Sequence, residues 1–166
     1  MRGIRRLLSL MAASALLGAG LVAASPANAQ AAASDCEGGV NGFTDIPNSQ
    51  EGRGVGGAGS LVLVHNGAVI ATASYGMQAG YINGRELGWG YLKTVTTWAW
   101  YGRADVWMDV TNDGGNTWIQ CGPFSEFFPG KRITTAAYPT SSSSSRAFRV
   151  CASLTGVNDI ACTDWW

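Results

Sequence analysis

The sequence predicts an all-β protein, folded as a compact antiparallel β-sandwich or a small barrel with two disulfides. Short segments rich in Val, Thr, Tyr and Trp alternate between apolar and polar residues, as half-buried strands do. Asn-Gly pairs and other turn signals separate these segments, and no long helical period follows residue 30. The chain has four cysteines, an even number that allows two disulfides in an exported protein.

Residues 1–29 are predicted to be a signal peptide. A basic start with Arg2, Arg5 and Arg6 is followed by the uncharged, apolar or small stretch Leu7–Ala24. Ala27, Asn28 and Ala29 then form an A-x-A cleavage site. A membrane anchor is the alternative, because the 18 residues of that stretch approach the length of a span. We expect the rest of the chain to be secreted and extracellular.

Composition limits the partners of the remaining chain. Removal of residues 1–29 takes away three of the 11 basic residues and none of the 11 acidic ones, which leaves 137 residues with a net charge of −3. An acidic surface does not attract phosphate backbones, so we expect no nucleic-acid partner. No further apolar run has the length of a span, so we expect no membrane partner after signal removal. We expect one domain and a monomer.

The chain after the signal divides into two parts. Residues 30–59 are predicted to be an irregular Gly-rich N-terminal segment anchored by Cys36 and Phe43, and residues 60–166 to be the β domain. The run Gly52–Gly59 contains the spacing G-x-G-x-x-G, which in dinucleotide-binding proteins precedes a helix. Here the strand-like Leu61–Val64 follows, so the run is interpreted as a loop.

Hairpin signals organise the β domain. Asn66-Gly67 separates Leu61–His65 from Ala68–Tyr75, and Asn83-Gly84 marks a second hairpin. Trp89–Tyr101 is predicted to be a strand. In the strand Val106–Val110, alternation predicts that both valines and Met108 face inward, whereas Trp107 and Asp109 point outward. The C-terminal part is predicted to have a turn at 127–130, an exposed serine loop at 141–145, and strands over Arg132–Tyr138, Arg146–Leu154 and Ile160–Trp166.

Cysteine spacing favours one of three possible pairings. Cys151 and Cys162 flank a short segment with turn residues, which leaves Cys36 to pair with Cys121. A zinc site is the alternative. It lacks C-x-x-C spacing, and His65 is the only histidine available, so no metal site is predicted.

One segment carries a resemblance to a known motif. It fits the pattern [S/T]-x-D-x-G-x-T-W with Thr111, Asp113, Gly115, Thr117 and Trp118. The segment resembles the Asp-box hairpin of sialidases and of many other secreted β proteins. The resemblance implies a structural turn in which Asp113 accepts backbone hydrogen bonds, Gly115 has a positive φ and the Trp118 ring folds under the turn. It implies no catalytic residue. The tail from Phe148 to Trp166 also resembles the ends of small exported bacterial proteins.

No residue set predicts catalysis, and no cofactor motif is present. His65 could serve a serine hydrolase, but no G-x-S-x-G elbow accompanies it. Asp105 and Asp109 share a strand face at about 13 Å, wider than the roughly 5–9.5 Å of glycosidase carboxylate pairs. Approach of Glu86 or Glu126 to one of them stays open.

The tryptophans are the main candidate binding residues. Trp98 and Trp100 share a strand face at about 6.6 Å, and with Trp107 and Asp109 they form the predicted ligand site. Sugar rings stack on such aromatic surfaces, and Thr94, Thr96 and Asp109 could meet their hydroxyls. The alternative is that the rings fill the core of the sandwich.

Three functions follow, in decreasing order of preference. The first is a non-enzymatic extracellular protein that binds polysaccharide or cell-wall glycan through tryptophans. The second is a secreted protein-directed factor, such as an inhibitor or antibacterial toxin. The third is a small hydrolase.

Overall fold

The computed structural model describes residues 32–96, 102–127, 131–157 and 160–166. These residues form nine strands: β1 Arg53–His65, β2 Ala68–Ile82, β3 Arg85–Thr96, β4 Arg103–Thr111, β5 Ile119–Phe127, β6 Arg132–Thr134, β7 Tyr138–Pro139, β8 Ala147–Leu154 and β9 Ala161–Cys162. The strands make two antiparallel sheets, and the predicted all-β sandwich is confirmed. The sheets do not close into a barrel.

The first sheet has the order β1-β2-β3-β6, and β7 pairs with β3 beside β6. Its two long hairpins turn where the Asn-Gly pairs predict. Asn66 and Gly67 have φ values of 50° and 78°, the left-handed conformation that a two-residue hairpin turn requires. Asn83 and Gly84 repeat this geometry at 52° and 79°. Both hairpin predictions are confirmed.

The second sheet has the order β5-β4-β8-β9 and packs its inner face against the first sheet. Val106, Met108 and Val110 of β4 are buried in the shared core, as their alternation predicts. Phe148 and Val150 of β8 join them there. The opposite side of β4 therefore faces away from the core.

Both predicted disulfides are confirmed. Cys36 bonds to Cys121 across 85 residues and joins the N-terminal segment to β5, and Cys151 bonds to Cys162 between β8 and β9. In the loop-closure model the longer link stabilises the fold by about 4–5 kcal/mol. No cysteine is free, so the alternative zinc site has no thiolate ligand.

The loop predicted over Gly52–Gly59 is wrong, because β1 begins at Arg53, inside the segment expected to be irregular. The small residues are needed where other parts of the fold come close. A Cβ on Gly56, which has a φ of +64°, would lie 2.8 Å from the Cβ of Trp166. The chain forms a bulge at this point, between Val55 and Ala58. Cys36 and Phe43 are buried and anchor the preceding segment, as expected.

Other predicted segments have mixed outcomes. The strand predicted over Arg132–Tyr138 is divided into β6 and β7, and the serine loop 141–145 is exposed as expected. Trp98 and Trp100 lie outside the described residues, as do 128–130 of the predicted turn and the signal-like residues 1–29. Within the described ranges, no helix has the length and apolarity to cross a membrane.

Candidate functional site

The outer face of the second sheet brings together several chemistry-bearing side chains. Along β4, Trp107 and Asp109 alternate with the inward valines and therefore lie on this outer face. Asp109 pairs in register with Gln120 of β5 and with Arg149 of β8. Directly opposite residues of antiparallel strands share a face, so Arg149 lies on it as well.

Asp109 and Arg149 form a largely buried ion pair at the centre of this face. Arg149 donates hydrogen bonds to Asp109 Oδ2 from Nε, at 3.1 Å, and from Nη2. The side chain of Asp109 is 2% exposed and that of Arg149 is 28% exposed. Asp109 Oδ1 is buried and has no hydrogen-bond partner among the described residues. Burial raises the pKa of Asp109 above its usual 3.8, although Arg149 acts in the opposite direction.

The expectation that Asp109 is exposed to ligand is therefore wrong. Alternation correctly places Asp109 on the outer face, but the face is covered at this point. The cross-strand neighbour Arg149 lies against the carboxylate, and aromatic rings stack on the guanidinium. Asp109 holds the Arg149 guanidinium in place and does not present its own oxygens to solvent.

Two tryptophans flank Arg149. The guanidinium carbon lies 4.6 Å from the ring centroid of Trp165 and 5.5 Å from that of Trp118, within the range of cation–π contacts. The two ring centroids are 6.3 Å apart. Trp118 remains 50% exposed and Trp165 36% exposed. We call Trp118, Arg149 and Trp165 the tryptophan–arginine cluster.

A bulge in the C-terminal tail places Trp165 in the cluster. The N–H of Thr163 bonds to the carbonyl of Val150, and Trp166 and Phe148 exchange both backbone hydrogen bonds. Between these pairs, Arg149 of β8 faces two tail residues, which is the definition of a β-bulge. The extra residue turns Trp165 outward, while the Trp166 ring packs 5.8 Å from that of Phe148.

The turn 111–118 places Trp118. Asp113 accepts hydrogen bonds from the Thr117 N–H at 2.9 Å, the Thr117 hydroxyl at 2.6 Å and the Thr111 hydroxyl at 2.7 Å. These bonds lower the pKa of Asp113 to about 2. Gly115 has a φ of 94°, and the expected roles of Asp113 and Gly115 are confirmed. The Trp118 side chain is half exposed.

Trp107 lies two residues before Asp109 and is partly buried. The register of β4 and β5 shifts between Val106 and Met108, so Trp107 faces an irregular part of β5. A Cβ on Gly122, which has a φ of +115°, would lie 2.9 Å from the Cβ of Trp107. The glycine therefore gives the tryptophan room on this face.

The predicted grouping of Thr94 and Thr96 with Trp107 and Asp109 is wrong. The two threonines belong to β3 of the first sheet, whereas Trp107 and Asp109 belong to β4 of the second. Thr94 is buried and pairs with Ala73, which faces the core between the sheets. It therefore lies on the opposite side of the second sheet from the outer face.

The candidate acidic residues and the histidine have separate surroundings in the part of the chain that the structure describes. His65 is exposed at the end of β1 and has no side-chain hydrogen bond or ion pair in the described part of the chain. Each candidate acid has its own partners: Asp105 binds Arg103 and Ser125, Glu86 binds Arg53, and Glu126 binds Lys131. Across the described ranges, no group of three or more His, Cys, Asp or Glu residues is placed to hold a metal ion.

A separate cleft of about 390 Å³ lies beside the N-terminal segment. It is lined by Glu37, Asp45, Ile46, Pro47, Asn48, Phe124, Thr134, Thr135 and Ala136. Both Asp45 oxygens accept the N–H of Gly38, and Asn48 accepts that of Thr134. The Asn48–Thr134 hydrogen bond connects the N-terminal segment to the sandwich, whereas the Asp45–Gly38 bonds lie within that segment.

Comparisons with models of protein families, with curated proteins and with solved structures found no match for this chain. The geometry of the outer face is therefore the basis for a functional proposal.

Arg149 and Trp165 were not predicted to belong to a binding site, and Trp118 was predicted only as part of a structural turn. The alternation of Arg149 with buried Phe148 and Val150 could have placed it on the outer face. For Trp165 the local signal was absent, because its orientation depends on a bulge formed against β8.

Proposed function

We propose that this chain is an exported, non-enzymatic extracellular protein that binds polysaccharide or cell-wall glycan on the outer face of its second sheet. The observation that carries the proposal is the tryptophan–arginine cluster, in which two partly exposed rings flank one guanidinium. Export is supported by the signal-like residues 1–29, and the two disulfides are compatible with an oxidising compartment.

The chemistry of the cluster suits a sugar. The C–H face of a pyranose ring is apolar and packs on indole, while its hydroxyls and substituents require polar partners such as Arg149. The cluster is also held in place before binding. The ion pair with Asp109 fixes Arg149, and backbone hydrogen bonds fix the ends of the tail that carries Trp165. A preorganised site loses less entropy on binding.

The turn 111–118, which resembles an Asp-box hairpin, has a structural role in this proposal. Its hydrogen bonds hold the segment that precedes β5, and Trp118 is its last residue. The proposed ligand contacts are therefore Trp118, Arg149 and Trp165, with Trp107 beside them on the same face.

Retention on insoluble glycans tests the proposal. We expect the wild-type protein to be retained on at least one of chitin, cellulose and peptidoglycan. Trp118→Ala and Trp165→Ala should each weaken that retention about tenfold, because stacking on one ring is worth about 1–3 kcal/mol at comparable aromatic platforms. Quenching of tryptophan fluorescence by soluble fragments of the retained glycan gives the dissociation constants.

Tyr81→Ala is the matched control, because Tyr81 is a 78% exposed aromatic residue on β2 of the other sheet. It should leave retention unchanged. Failure of the wild-type protein to bind all three materials, or equal retention of both tryptophan variants, contradicts the proposal.

A protein-directed factor is the second candidate, and a different surface favours it. Val62, Val64 and Val69 are about half exposed on the β1–β2 hairpin, and β1 is an edge strand without a charged residue from Gly54 to Val64. Long apolar edges of this kind pair with strands of other chains. Recovery of one specific extracellular protein by the wild type, and its loss in Val62→Lys, would support this candidate over the glycan-binding function.

A further inference from the structure

One hydrogen-bonding edge of Arg149 is unused. Its Nε and Nη2 bind Asp109, and Nη1 has no hydrogen-bond partner in the described portion of the chain. Because a guanidinium is planar, the N–H groups of Nη1 lie on the edge opposite the one that Nε and Nη2 share. Asp109 is 2% exposed and Arg149 is 28% exposed, so the part of the ion pair that solvent reaches belongs to Arg149.

The spacing of the rings determines what can reach this edge. Two van der Waals contacts of about 3.5–4.0 Å each require about 7–8 Å between parallel walls, and the ring centroids of Trp118 and Trp165 are 6.3 Å apart. The ring planes are inclined by 59°, so the indoles form no parallel slot, and a sugar ring does not fit between their centres. It stacks on one of their outer surfaces, and only a substituent of the sugar reaches Arg149.

Charge selects the kind of substituent. Asp109 neutralises Arg149, so the ion pair has no net charge with which to attract a carboxylate or sulfate group. A neutral acceptor is favoured. Beside an aromatic ring, the best match is a planar group with a carbonyl oxygen and an apolar end.

We propose that the tryptophan–arginine cluster is specific for N-acetylated sugars. The acetamido carbonyl oxygen accepts a hydrogen bond from Arg149 Nη1, and the acetamido methyl group packs on an indole ring. Asp109 is a positioning residue that holds the guanidinium edge in the required direction. This inference rests on the proposed glycan-binding function and names the class of sugar.

Two trisaccharides that differ only in this group provide the test. The probes are the β-1,4-linked trimer of N-acetylglucosamine and the β-1,4-linked trimer of glucose, with dissociation constants from calorimetry. We expect the wild-type protein to bind the acetylated trimer about tenfold more tightly, the effect of one hydrogen bond to a charged donor. Arg149→Lys keeps a cation opposite Asp109 but lacks the fixed planar edge, so the preference for the acetylated trimer over the glucose trimer should disappear.

The other outcomes contradict the N-acetyl specificity, and some also bear on the glycan-binding function. The N-acetyl specificity is overturned if the wild-type protein binds the two trimers equally, or if Arg149→Lys keeps the full preference. In either case, the glycan-binding function survives if the affinities for both trimers fall in Trp118→Ala. Binding of neither trimer overturns the N-acetyl specificity, and the glycan-binding function is overturned with it only if the wild-type protein is also not retained on chitin, cellulose or peptidoglycan. The wild-type comparison needs no variant, so the specificity is tested even if Arg149→Lys does not fold.

Discussion

At the scale of single residues, the Asp109–Arg149 pair combines a structural role and a binding role. Burial of the carboxylate is unfavourable, and the hydrogen bonds from Arg149 offset this cost only at Oδ2. The remaining oxygen is buried without a partner in the described chain. The pair is therefore retained at a cost in stability, which is consistent with a requirement for a fixed guanidinium between the rings.

Removal of Arg149 should show how strongly a buried Asp109 carboxylate without a partner destabilises the fold. We expect Arg149→Met to lower the free energy of unfolding by about 3 kcal/mol at pH 7, because it leaves a buried charge without a partner. The folded-state pKa of Asp109 is raised above 3.8 by burial, and the variant removes the two effects of Arg149 that lower it. A raised pKa means that the folded state binds the proton more tightly. The loss of stability relative to wild type should therefore become smaller as the pH falls toward 3.8.

Urea unfolding at pH 7 and at pH 4 measures both effects. Arg85→Met is the control, because Arg85 is exposed and has no side-chain hydrogen bond or ion pair in the described residues. An Arg149→Met protein as stable as wild type at pH 7 would show that the buried carboxylate needs no cation.

At the scale of elements, two irregular segments place the rings of the cluster. The turn 111–118 ends in Trp118, and the bulged tail after β9 carries Trp165. The strands between them provide Asp109 and Arg149 in cross-strand register. Regular strands alone would leave the two tryptophans far apart, since β5 and β9 are the two edges of the sheet.

The turn has a testable dependence on pH. Asp113→Asn removes an acceptor for the Thr117 hydroxyl, so we expect a lower melting temperature than wild type at pH 7. The pKa of Asp113 is lowered from 3.8 to about 2 in the folded state, so its stabilising effect is present above pH 3.8 and is lost as the pH falls through about 2. The difference between wild type and variant should therefore decrease between pH 4 and pH 2.

Thermal unfolding monitored by circular dichroism across this range gives the comparison. Glu51→Gln serves as the control for loss of an exposed carboxylate without side-chain hydrogen bonds among the described residues. A difference that is the same at pH 2 and pH 5 would contradict the assigned role of Asp113.

At the scale of the whole molecule, the distance between the two sheets depends on small residues in the core. Gly90 of β3 faces β8 of the second sheet, and a Cβ there would lie 2.9 Å from Val150 Cγ2 and 3.2 Å from Thr135 Cγ2. Core side chains of this kind pack at nearly crystalline density, so the sheets have little room to separate.

Gly90→Ala should therefore be destabilising by about 1–3 kcal/mol, the usual cost of overpacking a core. Val150→Ala in the same chain removes the atoms that clash, so the effect of Gly90→Ala should be much smaller in that background. Gly54→Ala is the control, because nothing lies within 4 Å of a Cβ at that position. Chemical unfolding of the wild type, the two single variants, the double variant and Gly54→Ala checks this. Equal stability of Gly90→Ala and wild type would mean that the sheets move apart at little cost.

Features that are encoded locally or covalently could be predicted from the amino-acid pattern alone. Asn66-Gly67 and Asn83-Gly84 specify left-handed turn conformations, and period-two alternation assigns Val106, Met108 and Val110 to the core face. The cysteine pairing also followed, because four residues allow few combinations and spacing favours one. The loop predicted over Gly52–Gly59 was wrong, since glycine is equally compatible with a loop and with a strand that other parts of the fold approach closely.

The candidate site could not be predicted in this way, because it is formed by contacts between distant segments. Strand alternation identifies the face of a residue but not which strands become neighbours, so Asp109 was placed on the correct side without its partner Arg149, 40 residues away. Trp165 reaches Trp118 through a bulge that exists only when the tail pairs with β8. Contacts between distant segments arise from packing and hydrogen bonding of the whole fold, and these energies have no local signature in the amino-acid pattern.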